Sequence, residues 1–178
     1  MTSSSIGAQQ DAERAGELDA LREAVRDLIE GSGGITPARQ RLNAQPEDTG
    51  PGPGYDEQAW RLLGTEMGLA GLGLAEDLGG AGGGLAELTV VATELGRALL
   101  PVPFFSSTVL AGQILARCPA TGADVLAQVA EGSELAAFAG TDADGCWRPE
   151  RLPVEANADA EAEAEAGKPS WRLRGTAE

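Results

Sequence analysis

Between Tyr55 and Pro103 the chain reads YDEQAWRLLGTEMGLAGLGLAEDLGGAGGGLAELTVVATELGRALLPVP. Two segments with apolar residues at helical spacing flank a long glycine-rich loop, and a proline pair closes the second. Trp60, Leu63 and Met67 form the stripe of the first helix. Asp56 is placed to cap it, and Tyr55 and Trp60 to staple its entry. Gly68 ends it, because glycine accepts the left-handed conformation at a helix C-terminus. In the second helix Leu85, Leu88, Ala92, Leu95 and Leu99 repeat at three and four. Pro101 and Pro103 stop it, since proline lacks the N–H and clashes with the preceding turn. Glu94 and Arg97 read as a surface pair one turn apart, with nothing beside Glu94 in sequence to tune it as a catalytic acid. The loop itself fits neither G-x-G-x-x-G nor G-K-[ST], and a helix precedes it, not a strand. It reads as backbone that needs positive φ and close approach.

The rest of the chain extends a helical pattern and then leaves it. Residues 1–10 are polar and predict a disordered N-terminus. Leu18, Leu21, Val25, Leu28 and Ile29 predict a helix over about Asp11 to Glu30. Ile35 to Gly54 is a Pro/Gly-rich connector with a short helical turn at Pro37 to Leu42. Beyond Phe104 and Phe105, a helix capped by Ser106 or Ser107 carries Leu110, Ile114 and Cys118 on one face until Pro119. Thr121 caps a further helix with Val125, Leu126 and Val129 on its apolar side, closed by Gly132. Residues 11–132 thus form a helical domain.

From residue 133 to 178 the character is that of short strands. Glu134 to Gly140 is a short apolar run, Leu152 to Val154 a second, and Trp171 to Arg174 alternates as a half-buried strand does. Thr141 to Gly145 is a turn, and Asn157 to Ala166 reads as a solvated excursion. Two or three short strands do not make a stable sheet by themselves, so this second domain reads as incomplete.

Composition removes several function classes. The 178 residues hold no His, which excludes Ser–His and Cys–His catalysis and the commonest metal ligand. The formal net charge of −15, from 13 basic and 28 acidic residues, disfavours nucleic acid and anionic membrane as partners. Cys118 and Cys146 make neither a zinc cluster nor a disulfide framework and read as buried reduced thiols. No window approaches the ~18 apolar residues that span a bilayer. MTSSSIGAQQ has neither the basic nor the apolar part of a signal peptide, so the expected location is the cytoplasm.

Taken together, "MGLAGLGLAEDLGGAGGG", "ELGRALLPVPFF", Trp60 with Leu63 and the final "WRLRGTAE" resemble the acyl-CoA dehydrogenase family over residues 15 to 178. The resemblance implies a mainly α chain: an N-terminal helical domain followed by the beginning of a middle β-barrel domain. It implies FAD as cofactor, an acyl-CoA thioester as substrate, and assembly into a homo- or hetero-oligomer. A glutamate takes the α proton in this family while the flavin accepts the β hydride. That glutamate belongs to a C-terminal domain with no counterpart here, so the resemblance assigns no catalytic residue and implies an inactive fragment. The stretch "FAGTDADG" stands where the family has T-E-P-x-A-G-S-D, so Phe138, Thr141 and Asp142 are its implied flavin contacts. The missing proline and serine open an alternative, a non-catalytic partner of a hetero-oligomeric dehydrogenase.

Overall fold

The computed structural model describes residues 3–43, 54–141, 144–146, 154–158 and 171–175. It divides into two units, Met1–Ala137 and Phe138–Glu178.

The first unit is helical. Helix α1 (Ser3–Gly31) starts at Ser3, which corrects the expectation of a disordered first ten residues and a helix from Asp11. Its early turns are exposed over residues 8–17, so their Ala, Gln, Glu and Arg residues hold helix by propensity more than by packing. The later turns pack against α4 (Leu85–Ala98) through Leu21, Val25, Leu28 and Ile29. Helix α2 (Thr36–Asn43) occupies the expected turn within the connector.

Helix α3 (Glu57–Trp60) is capped by Asp56, whose carboxylate accepts the Ala59 N–H at 3.0 Å. The chain then widens into a π-helix over Arg61–Glu66 instead of continuing as α. Trp60 lies against Gly64 so closely that a Cβ there would sit 2.7 Å from the indole. Gly68 ends the segment at φ 74°, as its position predicts. Short 3₁₀ turns at Leu69–Gly71 and Glu76–Leu78 lead through the glycine loop.

Helix α4 buries Leu88, Val91, Leu95 and Ala98. This stripe is rotated from the expected one, because Leu85, Ala92 and Leu99 are exposed. The next helix begins at Phe104 after Pro103, without a serine cap, as a π-helix over Phe104–Ala111 that passes into α5 (Gly112–Leu115). Leu110, Ile114 and Cys118 are exposed, and Cys118 lies beyond the end of α5 at Leu115, so the expected apolar face does not extend to it. Helix α6 is Pro119–Glu131, with Cys118 at the cap position and Pro119 at its first turn. Proline therefore opens α6, which displaces the expected Thr121 cap, whereas the previous helix already ends at Leu115. Leu126, Val129 and Ala130 are buried, Val125 is exposed, and Gly132 closes the helix at φ 76°.

The main core gathers Val25, Ile29, Trp60, Leu63, Val91, Leu95 and Phe104. Full burial of each such side chain favours folding by about 1.5–3 kcal/mol. A smaller cluster of Leu74, Leu126 and Ala130 holds α6 to the glycine loop.

In the second unit β1 (Val154–Ala158) pairs antiparallel with β2 (Trp171–Gly175). Glu155 faces Arg174 across the ladder and Ala156 faces Leu173. The expected strand at Trp171 is present. The expected one at Leu152 to Val154 starts at Val154, Leu152 lying outside the described residues. Asn157 belongs to β1, not to an excursion, and residues 159–166 of that excursion lie outside the described residues. Glu134 to Gly140 is not a strand; only Thr141 forms an isolated β-bridge.

Candidate functional site

The implied flavin contacts fall at the start of the second unit. Phe138 is 42% exposed, a large ring presented to solvent. Thr141, three residues on, is half-buried at its bridge. Asp142 lies outside the described residues. The chain that leads to Phe138 is anchored within the first unit: the Ala136 N–H donates to Ser107 Oγ at 3.1 Å. Ser107 is itself fully buried on the π-helix.

The glycine loop is shaped by backbone approach, as its composition predicts. Gly82 N–H donates to Leu74 O and Gly83 N–H to Leu72 O, both at 2.8 Å. A Cβ at Gly80 would lie 2.2 Å from Leu74 O. The N-terminus of α4 above the loop is filled by its own side chain. Gly84 N–H donates to Glu87 Oε2 at 2.7 Å, and Arg14 from α1 reaches Glu87 Oε1 at 3.4 Å. The Glu87 carboxyl is held below its usual range by its own backbone N–H, then by that of Gly84. An incoming phosphate would have to displace this carboxylate, so the loop does not act as a phosphate cradle.

One charged group is buried among the described residues, and sequence reasoning missed it. Glu94 is 4% exposed and is not a surface residue. Arg26 on α1 grips it through two hydrogen bonds, Nε to Oε2 at 3.2 Å and Nη2 to Oε1 at 2.9 Å. Arg97 adds a contact at 3.5 Å and Arg22 one at 3.9 Å. Hydrogen bonds from Arg26 hold the Glu94 carboxyl below its usual range, and burial opposes them without winning. The same bonds raise the Arg26 guanidinium. Glu94 is therefore tuned, contrary to expectation, and toward its ionised form. A base that removes a carbon-bound proton needs the opposite shift. The signal was present in sequence only as an Arg on the apolar-stripe side of α1, 68 residues from its partner.

Cys118 and Cys146 are both exposed, not buried as expected. No helix among the described residues is long and apolar enough to cross a membrane.

Comparison with known proteins places this geometry. Acyl-CoA dehydrogenase IpdE2 of Mycobacterium tuberculosis is 42% identical over 122 residues, covering 68% of this chain and 36% of that protein. IpdE2 of Mycolicibacterium smegmatis is 34% identical over 119 residues, covering 67% and 35%. The chain thus spans about a third of the length of these curated relatives. Among solved structures, the steroid ACAD Tcur3481-Tcur3483 superposes with a TM-score of 0.64 at 29% identity, over 90% of this chain and 40% of that one. The ChsE4-ChsE5 complex of Mycobacterium tuberculosis follows at 0.61 and 27%, over 89% and 38%. The N-terminal domain pattern of the acyl-CoA dehydrogenases matches residues 15–133, from the later turns of α1 to the end of α6. With two thirds of its length matched by that domain, the chain belongs to the acyl-CoA dehydrogenase family.

Proposed function

We propose that these residues are the N-terminal part of an FAD-dependent acyl-CoA dehydrogenase that oxidises the α,β bond of an acyl-CoA thioester. The observation that carries the reading is the family match over residues 15–133. In this reading Phe138, Thr141 and Asp142 contact the flavin; Phe138 is exposed and Thr141 half-buried. The flavin, when bound, supplies the hydride acceptor. The general base comes from outside the residues described here, because the one buried carboxylate among them, Glu94, is held below its usual range by arginine and is a weakened base. The 178 residues alone then leave acyl-CoA unoxidised. The steroid ACAD among the structural neighbours favours a bulky, polycyclic acyl group as substrate.

The test is a flavin titration of the chain, read by flavin fluorescence and by absorption that survives desalting, together with dye reduction by an acyl-CoA. Retained flavin that Thr141→Val and Phe138→Ala each weaken about tenfold, roughly 1.4 kcal/mol, supports the contacts. Retained flavin indifferent to both variants overturns them. Acyl-CoA oxidation by the chain alone overturns the placement of the base.

A second reading is a non-catalytic subunit of a hetero-oligomeric dehydrogenase. It is favoured by the neighbour solved as a complex of ChsE4 with ChsE5 and by the absence of the family's proline and serine around Thr141. Flavin retention only when a catalytic acyl-CoA dehydrogenase chain is co-expressed would favour this reading over the first.

A further inference from the structure

The helix that follows Pro103 contains a repeated chemical pattern, Phe104-Phe105-Ser106-Ser107-Thr108-Val109. Its first eight residues, Phe104–Ala111, are π-helical, and Gly112 N–H bonds back five residues to Ser107 O. A π-helix holds more residues per turn than an α-helix, so such a stretch carries a surplus residue relative to α. Within the pair of phenylalanines, Phe104 is 2% exposed and Phe105 61%. Ser107 Oγ accepts the Ala136 N–H, while Ser106 is exposed. Thr108 is 1% exposed, and its hydroxyl has no hydrogen-bond partner. The threonines of α4 behave differently: Thr89 donates to Leu85 O at 2.6 Å and Thr93 to Thr89 O at 2.7 Å. A buried hydroxyl without a partner is rare and destabilising, and it calls for a cause.

We propose that Phe104–Ala111 is a two-register element, able to trade its π-helix for an α-helix by a one-residue slip. In the slip the surplus residue passes into the Pro101–Pro103 turn and each side chain moves back one place. Phe105 then fills the buried slot of Phe104. Ser107 takes the exposed slot of Ser106. Thr108 takes the slot of Ser107, so a hydroxyl still faces the Ala136 N–H. Val109 enters the slot of Thr108 with the same shape and no hydroxyl to satisfy. The buried slots of Phe104, Ser107 and Thr108 thus keep or improve their chemistry, which a helix with an arbitrary sequence would not achieve. Thr108 is the hinge of the device: orphaned in the π register, it becomes the partner of Ala136 in the other. The inference rests on this helix alone and stands apart from any flavin chemistry.

The experiment is fluorine NMR of the full 178-residue chain labelled with fluorophenylalanine, which reports on Phe104, Phe105 and Phe138, the three phenylalanines. Phe104→Leu and Phe105→Leu assign the signals. The expected result is a second resonance or exchange broadening at Phe104 and Phe105. Phe105→Lys, which leaves an exposed site intact but bars residue 105 from the buried slot, is expected to abolish the exchange at Phe104. Thr108→Val, which keeps shape and removes the orphaned hydroxyl, is expected to suppress it as well, by favouring the π register. A single sharp Phe104 resonance at all temperatures below unfolding overturns the proposal. So does exchange that persists undiminished in both Phe105→Lys and Thr108→Val.

Discussion

Arg26 and Glu94, 68 residues apart in sequence, meet in a two-pronged ion pair that fastens α1 to α4. The carboxylate is buried and the guanidinium lies at its rim, 44% exposed. Glu94→Gln removes the charge and keeps the shape, leaving Arg26 with a weaker acceptor. The expected loss is about 1.5–3 kcal/mol, the range for hydrogen bonds to charged groups. Arg97→Gln touches only the exposed, 3.5 Å contact and is expected to change stability by less than about 0.5 kcal/mol. Urea melts of the two variants check the ranking, and equal losses would mean that Arg97 shares the grip equally.

The same pair sets a pH dependence. The folded-state pKa of Glu94 is depressed, so its contribution is fully present above the unfolded value of about 4.3 and is lost as pH falls through the folded value. Glu87 acts in the same direction through its backbone bonds. Unfolding free energy is expected to fall as the pH drops below about 5, with a shallower slope in Glu94→Gln. Parallel slopes for the two chains would assign the acid loss to other groups.

Glycines of the loop and of α4 should respond oppositely to alanine. At Gly80 a Cβ meets the Leu74 backbone oxygen at 2.2 Å, and backbone held by neighbouring hydrogen bonds has no room to give. Gly80→Ala is expected to cost about 1–3 kcal/mol or more, as overpacking does. At Gly96, inside α4, a Cβ meets nothing within 4 Å. Gly96→Ala is expected to raise stability by about 0.5–1 kcal/mol through helix propensity. Thermal melts of both variants report the sign directly.

The order of elements was legible because it depends on local rules. Asp56 caps, Gly68 and Gly132 terminate, the prolines stop, and the loop glycines answer to close backbone approach. What was not legible depends on partners distant in sequence. Glu94 looked like half of an i,i+3 pair because Arg97 is near in sequence, whereas the stronger donor arrives from α1. The core stripe of α4 was read through Leu85 and Leu99, yet α1 selects Val91 and Ala98, and no periodicity argument distinguishes two stripes rotated by one residue. The π-helices escaped because apolar spacing assumes the α period. Of the implied flavin contacts, the structure describes Phe138 and Thr141.

Leu99 closes α4 in the left-handed region, at φ 50°, the one non-glycine residue among those described with positive φ. The geometry is imposed from either side. Leu99 N–H bonds to Gly96 O, Leu100 N–H reaches Leu95 O at 3.1 Å, and Leu100 packs on the main core. The Leu99 side chain is 58% exposed and gains little from its place. Left-handed backbone costs a non-glycine residue about 1–2 kcal/mol, and glycine escapes most of this. Leu99→Gly is therefore expected to raise stability by up to about 1 kcal/mol, the greater freedom of glycine in the unfolded chain taking back part of the relief. Leu99→Val should do the reverse, because a branched Cβ crowds this conformation further. Urea midpoints in the order glycine, leucine, valine would bear out the strain; a glycine variant less stable than the parent would mean that the exposed leucine makes a contact worth more than the relief.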